Sequence, residues 1–368
     1  MLWEPAGKLR SLAHVEELSC FGEGWFSEEF HELSLKSGLA VCLAIGQMCN
    51  LRVLQLRFVY SQECMGEYSM WRFLAKGLRS CRSLTSVKLL QGGGVWQDIC
   101  FPALRDRDIC EFTSEETRLD ETVVRMIASW KRLRRLDLGK VSPSTGCGLL
   151  RVLASGGVGG RLEGLAVGQY SWRDDMTIWS EVIGVLPECH RLRRVVLRYT
   201  EFITVGVPFL RLPSSVRELV LQGCGYMGQS AHRAFDGANW IGCLIADMPQ
   251  LEVLDIGMSM SPVLFRMVAA RIPTNALHTL CLPVMLRASM VYDVCALLAR
   301  SPCIVSLRFR SHERDVVCCP LVLALSRMRN LRDVRLGSIM YLDHYVPLML
   351  GGGFVLSCSD PVVFRRRL

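Results

Sequence analysis

The chain has 368 residues, half of them hydrophobic and 21% charged, with a formal net charge of +8; this composition excludes a disordered segment and allows a large buried core. Its length suits two or three ordinary domains or one elongated repeat array. The two most apolar windows, Leu39–Cys49 and Val346–Cys358, fall short of the roughly 20 residues a membrane helix needs. The mean hydropathy of +0.26 therefore points to a dense interior, with no membrane as partner.

The opening stretch MLWEPAGKLRSLAHVEELSC has no basic start, unbroken apolar run and small-residue cleavage site, so it does not read as a secretory signal. The 17 cysteines are scattered singly, several of them on apolar stripes, as are Cys42, Cys243 and Cys295. There a thiol acts as a small hydrophobe. An odd count without pairing pattern suits a reducing compartment, and the expected location is intracellular, cytoplasmic in preference to nuclear. Cys318 and Cys319 are adjacent, which matches no zinc spacing, so no metal and no cofactor are expected.

One hexapeptide pattern, apolar-x-x-apolar-x-apolar, recurs along the chain. It begins with Val15–Cys20, Phe30–Leu35, Leu51–Leu56, Leu84–Leu89, Leu133–Leu138 and Leu162–Val167, and continues with Leu192–Leu197, Val216–Leu221, Leu251–Ile256, Leu277–Leu282, Ile304–Phe309 and Leu331–Leu336, twelve copies in all. From Leu251 onward the copies start 26, 27 and 27 residues apart, inside the 20–29 period of leucine-rich repeats. Within each copy the last two apolar positions alternate on a short strand and point inward, while the first anchors the turn.

Between copies the pattern predicts helices. Glu121–Trp130 is one, and Leu149–Ala154 is another. Ser261 caps a third, with Pro262 at its first position, an apolar stripe of Val263, Met267 and Val268, and Pro273 beyond its end. Ser289 opens Met290–Arg300, with Val291, Val294 and Leu298 at helical spacing, and Cys319-Pro320 opens Leu321–Met328. A unit of strand, loop, helix and return cannot bury its own apolar face, so units must stack.

Here the chain resembles the long, helix-containing leucine-rich repeats of the ribonuclease-inhibitor type, and its degenerate, cysteine-rich units are similar in style to the divergent leucine-rich-repeat proteins of trypanosomatid protists. The resemblance implies an α/β solenoid, a horseshoe with a parallel strand ladder on its concave face and helices on its convex face. It also implies that the concave face binds a protein. The chain departs from that group at the ninth position of each unit, where Asn or Cys is usual. Cys224 complies, Thr200 and Ser259 are polar substitutes, and Val59, Val141, Met285 and Ile339 do not comply.

One array is thus expected over residues 1–368, with about twelve units between 15 and 336. Two gaps exceed one repeat. The segment near 91–120 reads as an insertion or a degenerate repeat, in preference to a partner-contacting loop, and 222–240 reads alike. Residues 337–368 form a cap or tail, and its Phe364-Arg365-Arg366-Arg367 reads as solvated rather than as a targeting or nucleic-acid signal.

Catalytic motifs are missing from the sequence. The glycines of Ser155–Gly160 follow a helix and precede a strand, the reverse of a phosphate loop, and serve as a helix end and turn. His14, His31, His190, His232, His278, His312 and His344 are dispersed, and no Gly-x-Ser-x-Gly elbow or His-Glu-x-x-His pair occurs. The chain is expected to be no enzyme and to take no small-molecule substrate.

Function then rests on the strand face. Side chains at the third, fifth and seventh positions point outward, which places Arg57, Lys88, Arg135, Arg194, Arg198, Arg308, Arg310 and Arg335 on it, against Asp137, Glu218, Asp255 and Asp333. Twelve strands about 4.8 Å apart would extend on the order of 50 Å, enough for a protein interface. The basic surplus suits a protein partner with an acidic surface, with the chain as a recruiting subunit of a larger complex. A nucleic acid is the alternative; the face lacks aromatic side chains from Leu51 onward, which single strands use for stacking.

Overall fold

The computed structural model describes residues 14–21, 40–57, 67–90, 95–114, 116–117, 119–141, 146–154, 157–169, 185–198, 212–222, 241–242, 244–257, 260–282, 288–309, 319–336, 342–359 and 362–366. The chain divides into two compact units, Met1–Ile178 and Trp179–Leu368. Both are α/β and repeat one step of strand, helix and return.

In the first unit, strands β1 (Glu17–Phe21), β2 (Val53–Arg57), β3 (Ser86–Leu90) and β4 (Glu111–Ser114) pair in sequence, all parallel. The two-residue β5 (Glu116–Thr117) and β4 both pair with β6 (Arg135–Val141), which in turn pairs with β7 (Gly164–Gln169). In the second unit, β8 (Arg194–Arg198), β9 (Glu218–Gln222), β10 (Val253–Gly257), β11 (Thr279–Cys281), β12 (Ser306–Phe309) and β13 (Asp333–Leu336) form a parallel run. An antiparallel hairpin of β14 (Phe354–Ser359) and β15 (Val362–Arg366) follows, with β15 against β13.

The fourth hexapeptide position forms one continuous buried row per unit. Leu54, Val87, Phe112, Leu136 and Leu165 are in register across the first, and Val195, Leu219, Leu254, Leu280, Leu307, Val334 and Phe364 across the second. None is more than 2% exposed. At the start of each strand the backbone repeats a second device. The carbonyl of position two accepts the amides of positions two and three on the next strand, as Arg52 O does from Thr85 N and Ser86 N at 2.9 and 3.0 Å, and Val305 O from Arg332 N and Asp333 N at 2.8 and 3.3 Å.

The repeat is longer than the hexapeptide. Three residues ahead of its first position lies another buried side chain, Met48, Trp130, Cys189, Met248, Ser301 or Met328, whose carbonyl accepts the amide of that first position. This residue ends the helix and turns the chain into the strand.

Two expectations about the copies change. Strand β1 pairs directly with β2, so no rung stands between them for Phe30–Leu35, and that copy lies outside the described residues. The segment near 91–120 is a degenerate repeat and not an insertion: helix α2 (Val95–Leu104), following α1 (Glu67–Ser80), leads to β4. Its hexapeptide is Ile109–Ser114, 25 residues after Leu84 and 24 before Leu133. The pattern escapes notice because its last apolar position is Ser114, which is nonetheless buried. Aromatic packing compensates. Phe112 meets Phe101 of α2 edge-on with ring centroids 5.4 Å apart and Trp130 at 5.0 Å, and the Trp130 indole donates to Leu104 O at 2.8 Å. Of the other gap, residues 223–240 lie outside the described residues.

Helix α3 (Glu121–Ser129) is capped by Asp120, whose carboxylate accepts from Val123 N at 3.0 Å. Helix α4 (Gly146–Ala154) is followed by α5 (Val158–Arg161) and then β7, with Gly157 at φ 67°, the helix-to-strand order that argues against a phosphate loop. Helix α6 (Pro262–Arg271) has the expected Ser261 cap and first-position proline, but it buries Leu264, Phe265, Val268 and Ala269, while Val263 is exposed. The buried stripe is thus shifted from the expected Val263 and Met267 because the helix turns Leu264 and Phe265 toward the core. Helix α7 (Val291–Ala299) begins after a short 3-10 turn, so Ser289 is not its cap; α8 (Cys319–Arg327) buries Leu321, Val322 and Leu325, and α9 is Leu342–Gly351.

At four helices, arginines from the following repeat donate to carbonyls left open at the C-terminus. The Arg107 guanidinium donates to Arg79 O at the end of α1, and Arg161 to Trp130 O. Arg300 donates to Ala269 O and Ala270 O of α6, and Arg366 to Ser326 O and Met328 O after α8. Much of the positive charge is therefore structural. The last case also corrects the C-terminal expectation: Phe364 is fully buried and Arg366 anchored, so Phe364–Arg366 is a strand of the sheet rather than a solvated tail.

Replacing Phe112 by Ala should cost about 3–5 kcal/mol in denaturant unfolding, and Thr113→Ala should stay within roughly 0.5 kcal/mol; comparable losses would rule out the β4 register. Gly148→Ala should destabilise by about 1–3 kcal/mol, since an added Cβ would sit 2.5 Å from Leu119 O, and the unfolding midpoint measures it.

Candidate interaction face

The outward positions of each ladder form columns. In the first unit the third-position column runs Glu17, Val53, Ser86, Glu111, Arg135, Gly164, and the fifth-position column Ser19, Gln55, Lys88, Thr113, Asp137, Ala166. In the second unit the corresponding columns run Arg194, Glu218, Val253, Thr279, Ser306, Asp333 and Val196, Val220, Asp255, Cys281, Arg308, Arg335.

Acids on the neighbouring strand, or on the same strand for Arg335, take up several of the expected binding arginines. Arg135 pairs with Glu111 at 2.9 Å, Arg194 with Glu218 at 3.2 Å, and Arg335 with Asp333 at 3.3 Å. Glu111 was missed as a face residue because its rung was not recognised as a repeat. Lys88 is half-buried on β3, and Arg198 ends β8 in register with Gln222. Arg57 ends β2 in register with Phe21 of β1, an aromatic residue at the seventh position of the first rung. Arg310 lies outside the described residues, as do Cys224, Thr200, Ser259, Val59, Met285 and Ile339, whereas Val141 is buried in β6.

The face is consequently not uniformly basic. Across β8 and β9 its fifth position is apolar, with Val196 buried and Val220 half-buried; across β12 and β13 it carries Arg308 and Arg335, in register and both exposed. Parallel neighbours lie about 4.8 Å apart, so these two guanidiniums share one patch. Asp333 offsets Arg335 and also accepts the Ser306 hydroxyl at 2.7 Å. No partner of the Arg308 side chain occurs among the described residues.

The cysteines near the core are packing groups. Cys81 donates to Ile45 O at 3.3 Å and Cys100 to Trp71 O at 3.6 Å. Burial pushes the Cys81 and Cys189 thiols up to about 11 and raises Cys100 as well, so they stay protonated at neutral pH and are poor nucleophiles or ligands. Among the described residues no three His, Cys, Asp or Glu side chains gather where a metal could be held, and no helix is long and apolar enough to cross a membrane. The chain matches no family model and no curated protein.

Thiol labelling followed by peptide mapping should modify exposed Cys49 and Cys319 in the native protein and leave Cys42, Cys81, Cys100 and Cys189 untouched until denaturant is added. The raised thiols also set a pH dependence. Their stabilisation is complete below the ordinary value of 9.0 and is lost as pH rises toward about 11, because the unfolded chain then ionises and the folded one does not; a melting temperature constant across that interval would contradict it.

Proposed function

We propose that the chain is a non-enzymatic interaction scaffold, a leucine-rich-repeat horseshoe of the ribonuclease-inhibitor-like type, that binds a protein partner on its strand face. The observation carrying this is the in-register pair Arg308 and Arg335, exposed on adjacent strands of a rigid parallel ladder. Arginine is the charged residue that most often anchors protein interfaces, and a fixed ladder spares the entropy that mobile side-chain platforms lose on binding. The half-buried Val220 on the same unit adds apolar surface to the polar character of such an interface. An acidic partner surface complements the patch. Buried protonated thiols suit a reducing, intracellular setting, cytoplasmic in preference to nuclear, and recruitment into a larger complex is the role such a face serves.

The test is affinity capture by the full chain, wild type beside Arg308→Glu/Arg335→Glu. The variant should lose a specific set of captured proteins by about tenfold or more with an unchanged melting temperature. Capture of RNA with a steep salt dependence, abolished in the variant, would overturn the protein assignment in favour of nucleic acid.

A further inference from the structure

A second basic feature lies at the rim of the second unit, where the strands begin. A cleft of about 890 Å³ opens there between the turns that precede β12 and β13 and the end of β15. Its walls carry Arg329, Arg332, Arg365 and His278, with Asp333 as the acid among the lining residues. That acid is already engaged by Arg335 and by Ser306. Arg366 also lines the cleft but donates to the Ser326 and Met328 carbonyls. Arg329, Arg332 and Arg365 are all exposed, and none of their side chains has a partner among the described residues.

Three rim arginines elsewhere face an acid of the neighbouring rung, whereas Arg193 before β8 has no side-chain partner among the described residues. Arg52 faces Glu16 at 4.0 Å, Arg134 faces Glu163 at 3.7 Å, and Arg217 faces Glu252 at 2.6 Å. Each of these residues holds position two of its repeat, the position whose carbonyl receives the next strand. Arg332 holds that position on β13, and its rim neighbours are Val305 on one side and Arg366 on the other, so the compensating acid is missing on both. Three uncompensated guanidiniums around one concavity repel each other unless an anion joins them.

We propose that this cleft is a binding site for a phosphorylated side chain on a protein partner. Guanidinium forks match the oxygens of a phosphate in bidentate geometry, and a phosphomonoester brings nearly two negative charges near neutral pH. The volume suits a compact group with its flanking residues. The basic field is also short: past His278 the next rim residue is Glu252, paired with Arg217, so the track a nucleic-acid backbone would follow ends within about three rungs. Among the described residues no Phe, Tyr or Trp lines the cleft to stack a base. The proposal rests on the chain being a protein-binding scaffold, and it names a second anchor distinct from the Arg308 and Arg335 patch.

Fluorescence anisotropy with the full chain tests it, using degenerate phosphoserine-centred and phosphothreonine-centred peptide pools, their unphosphorylated counterparts and a random single-stranded RNA. The phosphorylated pools should bind about tenfold tighter or better than the unphosphorylated ones. Arg332→Glu/Arg365→Glu should erase that difference with an unchanged melting temperature, and the milder Arg332→Gln/Arg365→Gln should reduce it if the first variant is unstable. Arg308→Glu alone should retain it, since Arg335 then still engages Asp333. Equal binding of both kinds of pool, a phosphate preference that survives both cleft variants, or preferential binding of the RNA would overturn the proposal. Retained protein capture that depends on Arg308 and Arg335, without any phosphate preference, would remove the cleft site and leave the scaffold assignment standing.

Discussion

Every structural feature of this protein follows from the inability of one strand and one helix to bury their own apolar surface. A rung such as Leu51–Leu56 presents three inward side chains, each no more than 1% exposed in the folded chain, and it reaches that burial only with a rung on either side. The position-two carbonyl makes the stacking directional, because it accepts two amides of the next strand and thereby sets both spacing and register. Once two rungs are joined, the third has a prepared edge, and nearest-neighbour contacts carry the stability of the whole.

The same constraint explains how an irregular repeat is tolerated. The β4 rung loses an apolar residue at Ser114 and keeps its place, because register is supplied by the backbone and core volume by Phe101, Phe112 and Trp130. Aromatic rings bury more surface per residue than leucine, so one ring can replace a missing aliphatic contact without a change in strand spacing.

Charge is distributed by function within the fold rather than by a general basic bias. Arg107, Arg161, Arg300 and Arg366 reach across one repeat to close helix ends. Arg135 and Arg194 are matched by acids on the adjacent strand. Among the described residues, a group of arginines without a matching acid lies at the last rungs of the second unit, on the face at Arg308 and at the rim at Arg329, Arg332 and Arg365. A net charge of +8 gives no hint of this segregation, since structural and unmatched arginines contribute to it equally.

The sequence by itself determined the α/β class, the strand positions and their inward sides, because alternation with period two is a local property written in Leu54 and Leu56 or Leu254 and Ile256. It also placed the caps at Ser261 and the start of α3, where short-range hydrogen bonds decide the boundary. Only the tertiary structure decided that Ile109–Ser114 is a rung and that Phe30–Leu35 does not stand between β1 and β2, since membership depends on pairing with a neighbour and not on pattern. It likewise decided that Phe364 and Arg366 belong to the sheet and which arginines face an acid. Those partners lie one repeat away, at separations of 24 residues for Glu111 and Arg135 or 40 for Ser326 and Arg366, beyond the reach of any local pattern.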